Sequence, residues 1–256
     1  MKSSEPFILK FFKSFGFNTE KISESSKEKT PDFLVFDGDL KFLIELKQKT
    51  DSSNLIDVRE VAYQQGSVFE TMNVIERTNR NSNIIKSASK QLRAQKEAFG
   101  ADCCLVVFES KGFNSDVKRD QFESSLYGTT EIINIGDNYC PPKPCYFFNN
   151  SDFFNQKDIL DAAFILGEST GKLCLNPLSP NYELLKKSKL VQAFTNGVVD
   201  PIELEDQGRA YIVSAPINRK NKEEIITYLA EKYHLDRIVP FNWPHYNHSA
   251  SVIVEK

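Results

Sequence analysis

The stretch Pro31–Thr50, "PDFLVFDGDLKFLIELKQKT", places Asp32 at the start of one strongly apolar block and both Glu45 and Lys47 inside a second. The blocks "FLVF" and "FLIELK" flank Asp-Gly, which favours a tight turn between antiparallel strands. We therefore predict a hairpin with strands Asp32–Phe36 and Lys41–Lys47, in which Glu45 and Lys47 lie inside the second strand. Buried charges are costly unless they are paired, hydrogen-bonded or bound to a metal, so these side chains require an explanation.

The turn of this hairpin decides how the charged side chains face one another. Side chains alternate between the two faces of a strand, so Glu45 and Lys47 point to the same side. If Gly38–Asp39 is the two-residue turn, Asp32 lies directly opposite Glu45. If Asp37–Gly38 is the turn, Asp32 is diagonal to Glu45 on the same face. A three-residue loop would reverse the parity, so either two-residue turn predicts all three charges on one side of the sheet.

Two carboxylates in this arrangement repel each other when both are ionised, since directly opposite residues have Cβ atoms about 5 Å apart. A divalent cation between them removes the repulsion. Mg²⁺ takes oxygen ligands in an octahedron and commonly keeps several waters beside one or two carboxylates. Such a cation makes water a better nucleophile, and a lysine on the same face stabilises charge that develops on a phosphate. The pattern therefore indicates metal-assisted chemistry on a phosphate.

The order Pro-Asp, twelve residues, then Glu-Leu-Lys resembles the PD-(D/E)XK nuclease superfamily, which has the restriction-endonuclease-like fold. The resemblance extends through a predicted helix at Phe7–Phe15, the hairpin, a helix at Asn83–Phe99 and a buried strand at Cys103–Ser110. It implies an α/β fold with a restriction-endonuclease-like αβββαβ core. A mixed α/β C-terminal extension would follow this core.

The resemblance also implies a role for each charged residue of the hairpin. Asp32 and Glu45 would bind Mg²⁺ or Mn²⁺ with help from the backbone carbonyl of Leu46. Lys47 would be the catalytic lysine. A simpler alternative stays open, in which Glu45 and Lys47 are solvated charges on the outer face of an edge strand.

Two helices offer further site residues. Some families of this fold add a glutamate from the first helix, for which Glu5 is the candidate and Glu20 and Glu24 are weaker ones. The ordinary explanation of Glu5 is a first-turn carboxylate favoured by the helix dipole. Several families place a glutamine near the active site on a later helix, and Gln91 falls on the apolar face of Asn83–Phe99. The alternative for Gln91 is an amide packed beside the core.

The distribution of basic residues gives no general nucleic-acid footprint. The formal net charge is −3 and the isoelectric point about 5.8, so any contact with nucleic acid would have to be local. Lys86, Lys90 and Arg93 form a basic stripe on the helix, but it faces away from the hairpin and is interpreted as solvated surface. The short basic runs Lys186–Lys189 and Arg219–Lys222 are interpreted as charge on solvated loops.

The chain is divided into two predicted parts. Residues 1–140 form the nuclease-like core, with residues 52–82 as a polar insertion that holds a short helix and a strand. Residues 141–256 form an α/β extension for substrate recognition or dimerisation. Within the extension, "KDILDAAFIL" (Lys157–Leu166) predicts a helix and "SVIVEK" (Ser251–Lys256) predicts a terminal strand.

Several other classes of protein are disfavoured. The five cysteines show no disulfide framework, which is typical of a reducing compartment such as the cytoplasm. No apolar run approaches the roughly 20 residues of a membrane span, and lysines interrupt the first apolar residues, so we expect neither a span nor a signal peptide. No glycine-rich phosphate loop is present. Cys140, Cys145, His245 and His248 offer zinc ligands, but their spacing matches no standard zinc finger.

The leading hypothesis is a metal-dependent nuclease, with DNA favoured over RNA as substrate. By resemblance, it would act in restriction, anti-phage defence or repair, and it would form a homodimer to cut both strands. The rival hypothesis is a catalytically silent binding module or a subunit of a larger defence complex, which the acidic net charge favours. A third is an interaction protein in which the hairpin pattern is accidental.

Overall fold

The structure is a computed structural model that describes residues 5–23, 29–135, 141–167, 170–194, 196–241 and 245–253. These residues form a mixed α/β fold. The helices, in chain order, are α1 Glu5–Ser14, α2 Ser53–Gln64, α3 Asn79–Phe99, α4 Ser115–Tyr127, α5 Asp152–Asn155, α6 Tyr182–Lys186, α7 Lys189–Gln192, α8 Pro201–Asp206 and α9 Lys222–Tyr233. The strands are β1 Asn18–Lys21, β2 Phe33–Asp37, β3 Leu40–Lys49, β4 Phe69–Ile75, β5 Cys103–Ser110, β6 Thr130–Asn134, β7 Lys143–Tyr146, β8 Ala162–Leu166, β9 Gly171–Leu175, β10 Val198–Val199, β11 Tyr211–Ile212, β12 Ile238–Phe241 and β13 His245–Ser251.

A seven-stranded mixed sheet surrounds the hairpin, in the order β1-β2-β3-β5-β8-β9-β10. The first three strands are antiparallel neighbours, whereas β3, β5 and β8 run parallel. One face of the sheet packs against α3 and α4, and the other packs against α1, α6 and α7. Every residue of β5 is buried, because this strand lies in the interior of the sheet with helices on both faces.

The elements around the hairpin follow the order helix, three strands, helix, strand. They are α1, β1, β2, β3, α3 and β5, and α2 and β4 lie between β3 and α3. The predicted α/β class is therefore confirmed, and residues 52–82 contain the helix and strand that the sequence suggested. The first helix covers Glu5–Ser14, close to its predicted bounds.

The hairpin turn consists of Gly38 and Asp39, because the pair that closes the turn is Asp37 and Leu40. Gly38 has a φ of +62°, a conformation that glycine adopts without the steric penalty of a Cβ atom. Of the two turns considered above, this is the one that puts the first carboxylate directly across from Glu45.

Helix α3 begins earlier than its apolar period predicts. Thr78 caps it, since its side-chain oxygen accepts a hydrogen bond of 3.1 Å from the amide of Asn81. Gly100, with a φ of +58°, ends the helix as expected. The additional first turn brings Asn81 to the C-terminal end of β3, beside the residues that the hairpin pattern singled out.

The insertion residues form an arm (α2, β4 and β13) outside the main sheet. Strand β4 pairs with β13 in a two-stranded antiparallel sheet. The hydroxyls of Tyr63 and Ser251 are 2.6 Å apart and join α2 to β13. Phe69 packs edge-on against Phe113, with ring centroids 5.2 Å apart, and so anchors the arm next to α4.

The helix predicted at Lys157–Leu166 is wrong. Ala162–Leu166 forms strand β8, which is fully buried between β5 and β9. A short unbroken apolar run suits a strand buried on both faces as well as a helix, and the pairing with β5 decides between them. The strand predicted at Ser251–Lys256 is misplaced, because β13 ends at Ser251; residues 254–256 lie outside the described residues.

Strands from both predicted parts of the chain share sheets. β8, β9 and β10 follow residue 140 in sequence and continue the main sheet beyond β5. A second sheet, β11-β7-β6-β12, joins β6 from before residue 140 to three strands from after it. A boundary at residue 140 therefore passes through both sheets.

Candidate active site

The two carboxylates predicted to bind a metal are neighbours at the end of the hairpin. The last pair of the β2–β3 ladder is Phe33 and Ile44, so continuing the register places Asp32 opposite Glu45. The amide of Asp32 donates a hydrogen bond of 3.0 Å to the carbonyl of Ile44. Asp32 Oδ2 accepts one of 2.6 Å from the amide of Leu46. The backbone of β3 thus fixes the Asp32 carboxylate beside Glu45.

Lys47 lies between two acceptors on the same face of the sheet. Its Nζ donates hydrogen bonds of 2.5 Å to Glu45 Oε1 and 3.0 Å to Gln91 Oε1. Glu45 is almost completely buried, with 3% of its side chain exposed, whereas 24% of the Lys47 side chain is exposed. The ammonium group is therefore held in place by a side chain that is partly exposed to solvent.

Burial raises the pKa of both carboxyl groups. It raises the pKa of Glu45 to about 7; the hydrogen bond from Lys47 opposes this increase and the charge of Asp32 adds to it. Burial also raises the pKa of Asp32. The hydrogen bond from the Leu46 amide and the charge of Lys47 lower this pKa in part, and the charge of Glu5 raises it further. The two groups therefore resist simultaneous ionisation unless a cation is shared between them.

The chemistry of the pair fits a divalent cation. Glu45 Oε2 is buried and accepts no hydrogen bond from a described residue, which is destabilising for a carboxylate oxygen. Mg²⁺ and Mn²⁺ prefer hard oxygen ligands and complete their shells with water. Among the described residues no group of three or more Asp, Glu, His or Cys side chains could hold a metal ion. A cation here would thus rely on Asp32, Glu45, water and the predicted carbonyl of Leu46.

Glu5 lies close to the pair but has another partner. Its carboxylate forms an ion pair of 2.6 Å with Lys21, although its charge still acts on Asp32. Glu20 is exposed on β1, and Glu24 lies outside the described residues. A role for Glu5 as a metal ligand therefore stays a prediction.

The side of helix α3 that faces the sheet and the side that is exposed are those that its sequence predicts. Gln91 is partly buried and turned towards the sheet, where it contacts Lys47. Lys86, Lys90 and Arg93 are exposed, and Arg93 pairs with a surface aspartate. The basic stripe is therefore solvated surface, as expected.

Lys49, Arg80 and Asn81 also border the site, and the sequence patterns above do not single them out. Lys49 Nζ donates a hydrogen bond of 3.1 Å to Asn81 Oδ1, and Arg80 is exposed next to them in the first turn of α3. The period of two that relates Glu45 to Lys47 continues to Lys49 and could have indicated its face. The position of Asn81 depended on finding the true start of α3.

The remaining candidate residues are buried parts of the fold or lie on elements other than those that form the site. Cys145 is buried, Cys140 is outside the described residues, and both histidines of the zinc hypothesis lie on β13. The interpretation of Arg219 as a solvated charge is wrong, since it is buried and donates to backbone carbonyls, including that of Val213 at 2.8 Å. Cys103 and Cys104 are small core residues of the buried strand β5.

Comparison with known proteins assigns no family to this chain. No protein-family model matches the sequence, and no curated protein matches it significantly. Within the described residues, no helix has both the length and the apolar character that crossing a membrane requires. The geometry around Asp32, Glu45 and Lys47 is therefore what points to a function.

Proposed function

We propose that this protein is a metal-dependent nuclease of the PD-(D/E)XK type that hydrolyses phosphodiester bonds in DNA. The observation that supports the proposal most directly is the shared face of Asp32, Glu45 and Lys47, on which the Lys47 ammonium group bonds to one of two neighbouring carboxylates. The unpaired Oε2 of Glu45 gives a cation a place to bind. The order α1, β1, β2, β3, α3 and β5 agrees with the core expected of this superfamily.

Each residue has its own task in this proposal. Asp32 and Glu45 would hold Mg²⁺ or Mn²⁺, which when bound activates water and neutralises phosphate charge. Lys47 presents a positive charge and hydrogen-bond donors to the water and the phosphate, and so stabilises the charge that develops in the transition state. Gln91 is a positioning residue that holds the Lys47 ammonium group by accepting its hydrogen bond. The Leu46 amide orients Asp32.

The wider setting rests on the resemblance described above. It implies restriction, anti-phage defence or repair, and a homodimer in which each copy cuts one strand. The strands and helices that follow residue 140 would then support substrate recognition or dimerisation. Strands β8, β9 and β10 from this part of the chain continue the sheet that contains the site.

A catalytically silent binding module is the second candidate. It is favoured by the absence, among the described residues, of any group of three or more Asp, Glu, His or Cys side chains that could hold a metal ion, and by the net charge of −3. This candidate predicts that the protein binds nucleic acid or a partner protein of a defence complex without cutting any strand. A cleavage assay distinguishes the two candidates, because only the nuclease would cut DNA.

A cleavage assay tests the proposal. Wild-type protein, Asp32→Asn, Lys47→Ala and the control Lys90→Ala are incubated with supercoiled DNA, linear duplex, single-stranded DNA and RNA, in Mg²⁺, Mn²⁺ or EDTA. We expect DNA cleavage that needs a metal, that Asp32→Asn and Lys47→Ala abolish, and that Lys90→Ala retains, since Lys90 is exposed on the far face of α3. A folded wild type that cuts no substrate would favour the binding module, and activity in both site variants would refute the assigned residues.

A further inference from the structure

Lys49 extends the face of β3 that contains Glu45 and Lys47. Its Nζ donates a hydrogen bond of 3.1 Å to Asn81 Oδ1, in the first turn of α3. Helix α3 has 21 residues, and the N-terminus of a long helix favours anions through its dipole and its free amides. A positively charged side chain thus lies at the positive end of a helix.

Positive charge at this point is not balanced by carboxylates. Burial lowers the pKa of Lys49, and the nearby charges of Arg80 and Lys118 lower it further. Lys118 is paired with Asp51 at 2.5 Å. Among the described residues, no ion pair with a carboxylate is found for Lys49 or for Arg80; Lys49 bonds to an amide oxygen, and Arg80 is exposed. An incoming anion would relieve this local repulsion.

Two buried polar groups beside Lys49 have no hydrogen-bond partner among the described residues. They are Nδ2 of Asn81 and Oγ of Ser110, and both residues are completely buried. Ser110 on β5 is the register partner of Lys49 on β3. Native structures usually satisfy such groups with water or a ligand. Their position is a second, independent indication that something polar binds here.

The spacing of the two lysines suits a strand of linked phosphates. Lys47 and Lys49 are two residues apart on β3, so their Cα atoms are about 7 Å apart. Their acceptors Gln91 and Asn81 lie on α3 at points about 15 Å apart along the helix axis. The two ammonium groups therefore diverge, and their separation is on the order of 10 Å. That distance fits two phosphates of one strand better than a single phosphate.

We propose that Lys49 and Arg80, with Asn81 and Ser110 behind them, form a phosphate subsite for the substrate strand. The subsite would bind a backbone phosphate on the side of the scissile bond that faces the N-terminus of α3. It rests on the proposed function, because it takes the Asp32–Glu45 pair as the place of cleavage. Its ligand is an internal phosphodiester of a nucleic acid, and it fixes the register of the strand rather than reading its bases.

Binding without cleavage tests the subsite. Fluorescence anisotropy is measured with labelled single-stranded and duplex oligodeoxynucleotides in EDTA, at several salt concentrations from about 50 to 200 mM. Arg80→Ala is the main variant because its exposed side chain is not needed for packing, and Lys49→Gln is the second because it keeps a donor for Asn81. Lys86→Gln and Lys90→Gln are matched controls on the far face of α3.

Each subsite variant should lose about one phosphate contact. The slope of log affinity against log salt concentration should then become shallower by about 0.7–0.9, and binding at about 0.1 M salt should weaken roughly five- to tenfold. The two controls should bind like the wild type. Wild-type affinity and slope in both subsite variants would overturn the inference, and Asn81 and Ser110 would then hold water only. A wild type that binds neither oligonucleotide would also overturn it.

The outcomes separate this inference from the proposed function. If the wild type cleaves DNA with Mg²⁺ but both subsite variants bind normally, the subsite is refuted and the nuclease stands. If the variants lose binding while the wild type cleaves nothing, Lys49 and Arg80 are shown to bind nucleic-acid phosphate, and the nuclease is refuted together with the position of the site beside a scissile bond.

Discussion

Asp32 bridges the two residues on either side of Glu45: its amide bonds to the carbonyl of Ile44 and its carboxylate accepts from the amide of Leu46. The side chain thus takes part in the hydrogen bonding of the sheet, and its position follows from the backbone of β3. A carboxylate held in this way needs little rearrangement to meet a cation. A carboxylate that is already in position lowers the free-energy cost of arranging the ligands when a cation binds.

The first prediction is that Asp32→Ala and Asp32→Asn should differ in their effect on stability. Asp32→Ala removes the acceptor for the Leu46 amide, so we expect the free energy of unfolding to fall by about 1–3 kcal/mol. Asp32→Asn keeps an oxygen there and removes the repulsion with Glu45, so the metal-free protein should be at least as stable as the wild type. Both variants should lose metal-dependent cleavage. Denaturant unfolding and the cleavage assay measure the two effects, and an active Asp32→Asn would contradict the assignment.

A second prediction concerns Gln91, which should affect turnover and not metal binding. Gln91→Ala removes one of the two acceptors that hold Lys47, so the ammonium group should sample more positions. We expect kcat to fall about tenfold or more, with the metal concentration for half-maximal activity unchanged. Lys90→Ala, one residue away and exposed, is the control. Equal loss in both variants would mean that helix α3 itself, rather than the contact with Lys47, had been disturbed.

The raised pKa of Glu45 gives a third prediction, on pH and metal together. A cation must displace the Glu45 proton below pH 7, since the pKa in the folded state is about 7. We expect Mg²⁺ or Mn²⁺ to raise the melting temperature more at pH 8 than at pH 6, with apparent affinity falling about tenfold per pH unit below 7. Thermal unfolding at both pH values, with metal or EDTA, measures this.

Without metal, the same group should make stability fall as pH rises. Its folded-state pKa is above the ordinary value of 4.5, so the folded protein binds more protons than the unfolded chain between pH 4.5 and 7. Its contribution is therefore fully present below pH 4.5 and is lost as pH rises to about 7. Glu45→Gln should remove this part of the pH dependence, and an unchanged profile in that variant would count against the role of Glu45.

Gly128 and Gly66 form a matched pair for a fourth prediction. Both have positive φ, of +58° and +64°, so alanine at either position carries a similar backbone strain of about 1–2 kcal/mol. At Gly128 a Cβ atom would also lie 2.7 Å from the carbonyl oxygen of Asn149, whereas at Gly66 nothing lies within 4 Å. Gly128→Ala should therefore lower the free energy of unfolding by about 1–2 kcal/mol more than Gly66→Ala. Chemical denaturation compares them, and equal losses would mean that the loop at Asn149 yields freely.

A fifth prediction follows from the position of β8. A chain that ends at residue 140 lacks β8, so β5 would become an exposed edge strand with an apolar face on each side. We expect this fragment to aggregate or to unfold without cooperativity in circular dichroism and limited proteolysis. A soluble fragment with a sharp unfolding transition would instead support residues 1–140 as an independent domain.

The parts of the fold that were predictable from the sequence are local. Gly38, the alternation from Glu45 to Lys47 and the cap at Gly100 act within a few residues, so the hairpin and the end of α3 follow from spacing alone. Ala162–Leu166 could not be assigned in this way, because its identity as a strand depends on pairing with β5, far away in the chain. The same holds for Lys49, whose contact with Asn81 needs the start of α3 as well as the end of β3.

The arm has a consequence for how the protein folds. Strand β4 pairs with β13, and the paired residues Ile75 and His245 lie far apart in the chain. Until this pair forms, β4 lacks its partner strand, and α2, which buries no residue, has little to hold it. Pairing between residues so distant in sequence is slow to form because of its loop-closure entropy. The arm should therefore form later in folding than the locally closed hairpin of β2 and β3.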